Sequence, residues 1–178
     1  MGVGLMESRG SVPAWPAAPY GGPGGTAEGP GPVPPRPPVG EGVWRFTAPT
    51  AESSVPRARY AVRELLEQQG VPAGGAVGET VQGLLLIVSE LVTNVVKHAA
   101  VLSPELAVEV ALSAGRVRVS VEDNHPYRPA ALETDWAQTG GRGLLLVREI
   151  TREAGGHYDV EHTPSGGKII WAELPLHP

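Results

Sequence analysis

A chain of 178 residues with a net charge of −5 and no cysteine has room for one domain and an appendage; it offers no disulfide or thiolate metal site and no general affinity for nucleic acid or anionic membrane. Composition is uneven: 10 of the 19 prolines and 11 of the 24 glycines fall in the first 42 residues, without apolar periodicity, so 1–42 read as a disordered tail and 43–178 as the folded domain. No basic region leads into an apolar run at the N-terminus, Met6 stands where a myristoylation signal wants Ser or Thr, and no unbroken apolar run nears the ~20 residues of a membrane span, so a cytoplasmic protein without membrane contact is expected.

The segment VWRFTA (43–48) reads as an opening strand. In SVPRARYAVRELLEQQG, Ser54 is the expected N-cap, Pro56 sits in the tolerant first turn and Gly70 ends the helix, with Ala58, Ala61, Val62, Leu65 and Leu66 at helical spacing. A glycine-rich loop over 73–78 then leads to a second helix, about Glu79 to Ala99. ELAVEVALS (105–113) alternates as a strand with one apolar face, Ala114-Gly115 make a tight turn, and RVRVSVED (116–123) returns as its hairpin partner. An irregular stretch (124–140) precedes a third helix, RGLLLVREITREAG, which stops at Gly155 and Gly156. HYDVEHT and KIIWAEL, joined by PSGG, close the chain as a second hairpin. The order β-α-α-β-β-α-β-β predicts a two-layer sandwich with the helices on one face of the sheet.

The second helix carries an unusual polar stripe. Glu90, Asn94 and His98 recur at i, i+4 and i+8 with Lys97 beside them, whereas Val88, Leu91, Val92, Val95 and Ala99 occupy the opposite side. A solvated amphipathic face would give such a stripe. Yet Gly83, Leu86 and Ile87 project on the same side one or two turns earlier, and a face apolar at one end and polar at the other suits a pocket wall. There, Asn94 can offer a neutral oxygen to a hard cation such as Mg²⁺, and Glu90 can take a proton or orient a nucleophile.

Two further features carry chemistry. Asp123 continues the parity of Val117, Val119 and Val121, which puts a carboxylate on the core side of a strand end. A buried carboxylate needs donors: an adenine amino group and a water would serve, as would the backbone of the following Asn-His-Pro turn. Gly140, Gly141 and Gly143 open the third helix, where free N–H groups and the helix dipole suit a phosphate; the spacing is not that of a Walker A loop or a dinucleotide fingerprint. Arg142 can contact phosphate or face solvent. The histidines lack zinc-ligand spacing.

In this order the segments resemble the Bergerat-type ATP-binding fold shared by histidine kinases, gyrase-like ATPases and anti-sigma-factor serine kinases. SELVTNVVKHA resembles the N box, VEDNHP a divergent G1 box, GGRGLLLV the G2 box and GGKIIWAELP the closing strand. SELVTN and the short span from G1 to G2 point to the anti-sigma-factor serine/threonine kinase branch, over about Val43 to Leu174. The resemblance implies an α/β (α+β) sandwich with a mixed, mostly antiparallel sheet, and ATP and Mg²⁺ as cofactors. It implies that Glu90 orients the attacking hydroxyl, Asn94 binds Mg²⁺ and Asp123 receives the adenine amino group. Gly141, Arg142, Gly143 and Leu144 would lie near the phosphates, with Lys97 and His98 lining the pocket beside them. The implied partners are a sigma factor or an anti-anti-sigma protein, and a homodimer is expected from the family.

Two departures matter. The glycines that often follow the G1 aspartate are replaced by Asn124-His125-Pro126, and Ile169 follows Lys168 where a threonine often opens the last strand. They leave two readings open: a protein serine/threonine kinase acting on an anti-anti-sigma partner, or a non-catalytic module that sequesters a sigma factor or another regulator. A sensor histidine kinase fragment is disfavoured, because no phosphoacceptor-histidine helical hairpin is read in the chain.

Overall fold

In a computed structural model of the chain, residues 41–124 and 142–176 are described. Most of the proline-rich leader and the stretch 125–141, including His125 and Pro126 of the expected turn and Gly140-Gly141, lie outside the described residues. The elements run β1 (Gly42–Pro49), α1 (Ser54–Gln68), α2 (Gly75–His98), β2 (Glu105–Ser113), β3 (Arg116–Asp123), α3 (Arg142–Glu153), β4 (His157–His162) and β5 (Lys168–Pro175). The strands form one sheet in the order β1-β2-β3-β5-β4, and every pairing is antiparallel. Among the described residues the sheet is thus antiparallel throughout, not mixed.

Alternation decides which face is covered. Leu106, Val108, Val110 and Leu112 of β2, Val117, Val119 and Val121 of β3, and Ile170, Ala172 and Leu174 of β5 are buried beneath the helices. The opposite face stays polar and pairs its charges across strands. Arg45 binds Glu122 and lies 3.9 Å from Glu109, Arg116 binds Glu173, and Arg118 binds Glu161 at 3.1 Å while stacking 4.0 Å from the Trp171 ring centroid. Partly exposed pairs of this kind contribute little each, yet they make a second covering layer unnecessary.

Local signals set the boundaries. Gly70 adopts φ +79°, and its N–H and that of Val71 close on Glu67 and Leu66 in a Schellman cap; Gly155 (φ +67°) and Gly156 end α3 the same way on Arg152 and Thr151. Ala114 and Gly115 both have positive φ, as a type I′ hairpin requires. The N-cap of α1 is Ser53 rather than Ser54, whose hydroxyl instead donates to the Pro49 carbonyl at 2.6 Å and ties the helix start to the end of β1. The expected loop over 73–78 is already helical from Gly75: Gly78 lies in the first turn, where a Cβ would press on the Ala73 carbonyl. At the start of β1, Glu41 accepts a bond from the Ala114 N–H at 3.1 Å.

Helix α2 is the axis of the covering layer. Its 24 residues reach a mean hydropathy of 1.4 over an 18-residue window, long and apolar enough to cross a membrane by composition alone, although its charges break any unbroken apolar run. Here Leu84, Leu85, Ile87, Val88, Leu91, Val92 and Val95 are all buried inside the domain, packed among α1, α3 and the sheet. This is a core helix, and its hydropathy is accounted for by that packing.

Candidate functional site

The polar stripe of α2 divides in two. Glu90 and Asn94 are half-buried, whereas Lys97 and His98 are exposed in the last turn, where positive charge complements the helix dipole. The opposite side behaves as expected: Val88, Leu91, Val92, Val95 and Ala99 are at most 1% exposed. The apolar start of the stripe is not a pocket wall, however. A Cβ on Gly83 would stand 2.9 Å from Ile150 of α3, and Ile87 is fully buried, so this end is a helix–helix seam; Leu86 stays partly exposed beside it.

That seam brings the second and third motifs together. α3 runs antiparallel to α2: Ile150 lies against Gly83, and Gly143 lies against Glu90 about two turns further along the same face. A Cβ on Gly143 would overlap the Glu90 Oε2 atom and approach Cδ to 3.2 Å, so the glycine makes room for the carboxylate. Glu90 is thereby held at the first turn of α3, whose leading N–H groups lack intrahelical acceptors and whose dipole is positive. Arg142 is exposed there. Leu144 is 4% exposed with its side chain in the core, so only its backbone faces the helix end. Gly141 lies outside the described residues.

One substitution separates packing from positioning. Gly143→Ala is expected to leave stability unchanged or raise it by up to about 1 kcal/mol, because alanine is the better helix former. The added Cβ displaces the Glu90 carboxylate, and a misplacement of about 1 Å costs a positioned group on the order of 10²-fold in rate. Thermal melts set against turnover would reveal this pairing; a variant as active as wild type would show that Glu90 needs no such placement.

Asp123 sits on the covered face at the end of β3 and is 2% exposed, as parity requires. Its Oδ1 accepts a hydrogen bond from Lys168 Nζ at 2.8 Å, and the two side chains are 1% and 4% exposed. The register explains the pair, since Asp123 lies directly opposite Lys168 across β3 and β5. Gly167 packs so closely on the Asp123 carbonyl that a Cβ there would overlap it, with Asn124 Cα at 2.9 Å. The Asn124 N–H donates to Ser103 Oγ at 3.2 Å, and the Ser103 N–H to the Ala99 carbonyl at 2.8 Å. The C-terminal end of α2, with Asn94, Lys97 and His98, is therefore tied to the end of the sheet that holds Asp123.

Lys168 was not anticipated as a site residue. The expected departure from the resembling family is at Ile169, but Ile169 is opposite Glu122 on the polar face. Counting back by two from Leu174, Ala172 and Ile170 would have placed a lysine on the covered face, and only a carboxylate makes that tolerable. The other marked electrostatic effect in α3 is remote: Arg152, 2.9 Å from Glu149, holds that carboxyl below its ordinary range at the far end of the helix from Gly143.

Residues 79–178 match the family described as histidine kinase-, DNA gyrase B-, and HSP90-like ATPase. The sensor protein kinase CarS of Pseudomonas aeruginosa is 34% identical over 105 residues, 53% of this chain; the match spans only 23% of that kinase's length. Among solved structures, the RsbU and RsbW domains of Rv1364c from Mycobacterium tuberculosis align over 75% of this chain and 33% of theirs at 20% identity and a TM-score of 0.51. The catalytic domain of histidine kinase ThkA aligns over 75% of this chain and 98% of its own at 19% identity and a TM-score of 0.50. These structural likenesses carry the fold. The match over more than half the chain carries more: the protein belongs to the histidine kinase-, DNA gyrase B- and HSP90-like ATPase family, and its folded part is an ATP-binding domain of that type.

Proposed function

We propose that this domain binds Mg²⁺-ATP and passes the γ-phosphoryl group to a serine or threonine hydroxyl of a protein partner, an anti-anti-sigma protein, and that it regulates a sigma factor from the cytoplasm. The observation that carries this reading is the seating of Glu90 against Gly143, which joins a half-buried carboxylate to a helix N-terminus. The donor chemistry fits the cofactor: Asn94 lies one helical turn beyond Glu90 and offers the hard oxygen that Mg²⁺ accepts, an ion that uses few protein ligands besides phosphates and water. Bound Mg²⁺-ATP supplies the phosphoryl group to be transferred.

The roles of the chain's own residues follow. Asp123 accepts a hydrogen bond from the base, and the first N–H groups of α3, with Arg142, hold the phosphates. Lys97 and His98 sit at the rim of the same end. Glu90 orients the incoming hydroxyl and accepts its proton as the new O–P bond forms and the bond from the γ-phosphorus to the ADP oxygen breaks. Catalysis of this kind is mostly positioning and charge stabilisation, which suits a site with so few ionisable groups.

Phosphotransfer to candidate partners tests the reading. A phosphoester on serine or threonine survives acid, whereas a phosphohistidine does not; acid-labile product would instead favour the histidine kinase type, which the family description also names. Calorimetry of Asn94→Ala should lose the Mg²⁺-dependent part of ATP binding, and an unchanged Mg²⁺ dependence would remove Asn94 from the metal's ligands. Tight ATP binding without transfer to any partner would favour the second reading, a module that sequesters its partner, which the Lys168–Asp123 pair also suits because it occupies the base-reading carboxylate.

A further inference from the structure

Ser103 lies outside the motifs, in the short connection between α2 and β2, and is 0% exposed. Three elements meet at it. Its N–H donates to the Ala99 carbonyl at the end of α2 at 2.8 Å, and its hydroxyl donates to the Glu105 carbonyl at the start of β2 at 2.7 Å. The same oxygen accepts from the Asn124 N–H, just past the end of β3, at 3.2 Å. The neighbouring Pro104 carbonyl takes the Thr50 N–H at 2.9 Å, so the chain leaving β1 is fastened at the same place.

A hydroxyl suits this post because one oxygen donates and accepts at once. The bond to Glu105 is local, two residues on, and alone would be an ordinary turn contact. The bond from Asn124 is different: it spans 21 residues and fastens the residue after Asp123 to the connection that closes α2. β3 and β5 pack beneath α2, which sets the height of the helix above the sheet. The Ser103 bonds restrain the remaining freedom, a slide of the β3 end past the end of α2.

That slide matters to a ligand read at two ends. The base contact is on β3 at Asp123, and the Mg²⁺ ligand is on α2 at Asn94. A ligand of fixed length gains from both contacts only when their separation matches its own span.

We propose that Ser103 is a positioning residue: by holding the exit of β3 to the end of α2, it sets the spacing between the base contact and the Mg²⁺ ligand, so that one nucleotide engages both. The inference rests on the reading above that Mg²⁺-ATP spans Asp123 and Asn94, and it adds the residue that fixes their separation.

The test is calorimetry of ATP binding by the full 178-residue chain, once with Mg²⁺ and once with EDTA. The readout is the factor by which Mg²⁺ tightens ATP. A loss of folded protein scales both affinities alike and leaves this factor unchanged, whereas a misplaced base end lowers it. Ser103→Ala removes the hydroxyl, and Ser103→Cys replaces it with a weak donor and acceptor of similar size. Both variants should hold ATP in EDTA near the wild-type affinity. Both should lower the Mg²⁺ factor by about tenfold, the effect of one lost bond between the two ends. A fall of less than about threefold in a variant that folds overturns the proposal, since the lost bond would then be worth too little to set the spacing. Failure of both variants to fold also overturns it, because Ser103 would then serve the fold itself. Wild type that binds ATP with no gain from Mg²⁺ leaves no spacing to set and defeats the proposal while the ATP reading stands. Wild type that binds no ATP defeats that reading, and the proposal falls with it.

Discussion

Asp123→Leu is expected to destabilise the domain by about 3–5 kcal/mol, because it removes the carboxylate that Lys168 binds while the ammonium remains enclosed. Lys168→Met should cost a similar amount for the mirror-image reason. The double variant, with two apolar side chains in place of the pair, should recover most of that loss, since a buried ion pair is often no better than a well-packed apolar replacement. Urea unfolding of the four proteins measures the coupling directly. Costs that simply add would mean that the two residues act separately. The same proteins also divide structure from recognition: the double variant should fold well and still bind ATP poorly, because nothing at position 123 can accept from the base. Restored stability together with restored ATP affinity would remove Asp123 from the nucleotide site.

Most of the architecture was legible because it rests on local rules that tertiary context did not override. The alternation in β2 and β3 matches the observed burial except at Ala107 and Ser120, and the glycine stops of α1 and α3 fall where positive φ is needed. The errors have physical causes. Glycine density over 73–78 signals a loop, yet Gly78 is in the first turn of α2 because only a residue without Cβ fits against the Ala73 carbonyl there. The expected pocket wall at Gly83, Leu86 and Ile87 fails because helical periodicity reports which side a residue occupies, not what covers that side; Ile150 of α3 lies against Gly83, and Ile87 is buried. Glu90 and Gly143 could be named from motifs, but their contact depends on the antiparallel packing of two helices distant in sequence. The buried lysine is legible by parity with Ile170, Ala172 and Leu174.

The family match begins at residue 79, within α2, whereas the described elements begin with β1 at Gly42. β1 completes the sheet by pairing along the whole of β2, and α1 covers the flank of α2 with Ala58, Val62 and Leu66 in the common core. The matched segment therefore contains the site but not all of the layer that holds α2 in place. The reach of Glu90 toward α3 depends on α2 being clamped from both sides, so the positions of the site residues are set partly by sequence outside the matched region.

Glu90→Gln carries the largest expected effect on activity. The substitution keeps the size of the side chain and removes its capacity to take a proton. If Glu90 orients and deprotonates the acceptor hydroxyl, transfer should fall by about 10²–10⁴-fold, the usual contribution of a positioned general base. Nucleotide affinity should hold near the wild-type value, because the base contact at Asp123 and the helix N-terminus remain. Stability should change little, since a half-buried amide can occupy the same space against Gly143. Single-turnover transfer set beside ATP binding separates the outcomes: a fall in both would make Glu90 a binding residue, and a fall in neither would leave the protein as a partner-holding module. Gly143→Ala then serves as the geometric counterpart, with the carboxylate kept and its position lost. If both variants lose transfer while both bind ATP, the charge of Glu90 and the place where α3 holds it are each required, which is the expectation for a group that acts on the acceptor hydroxyl.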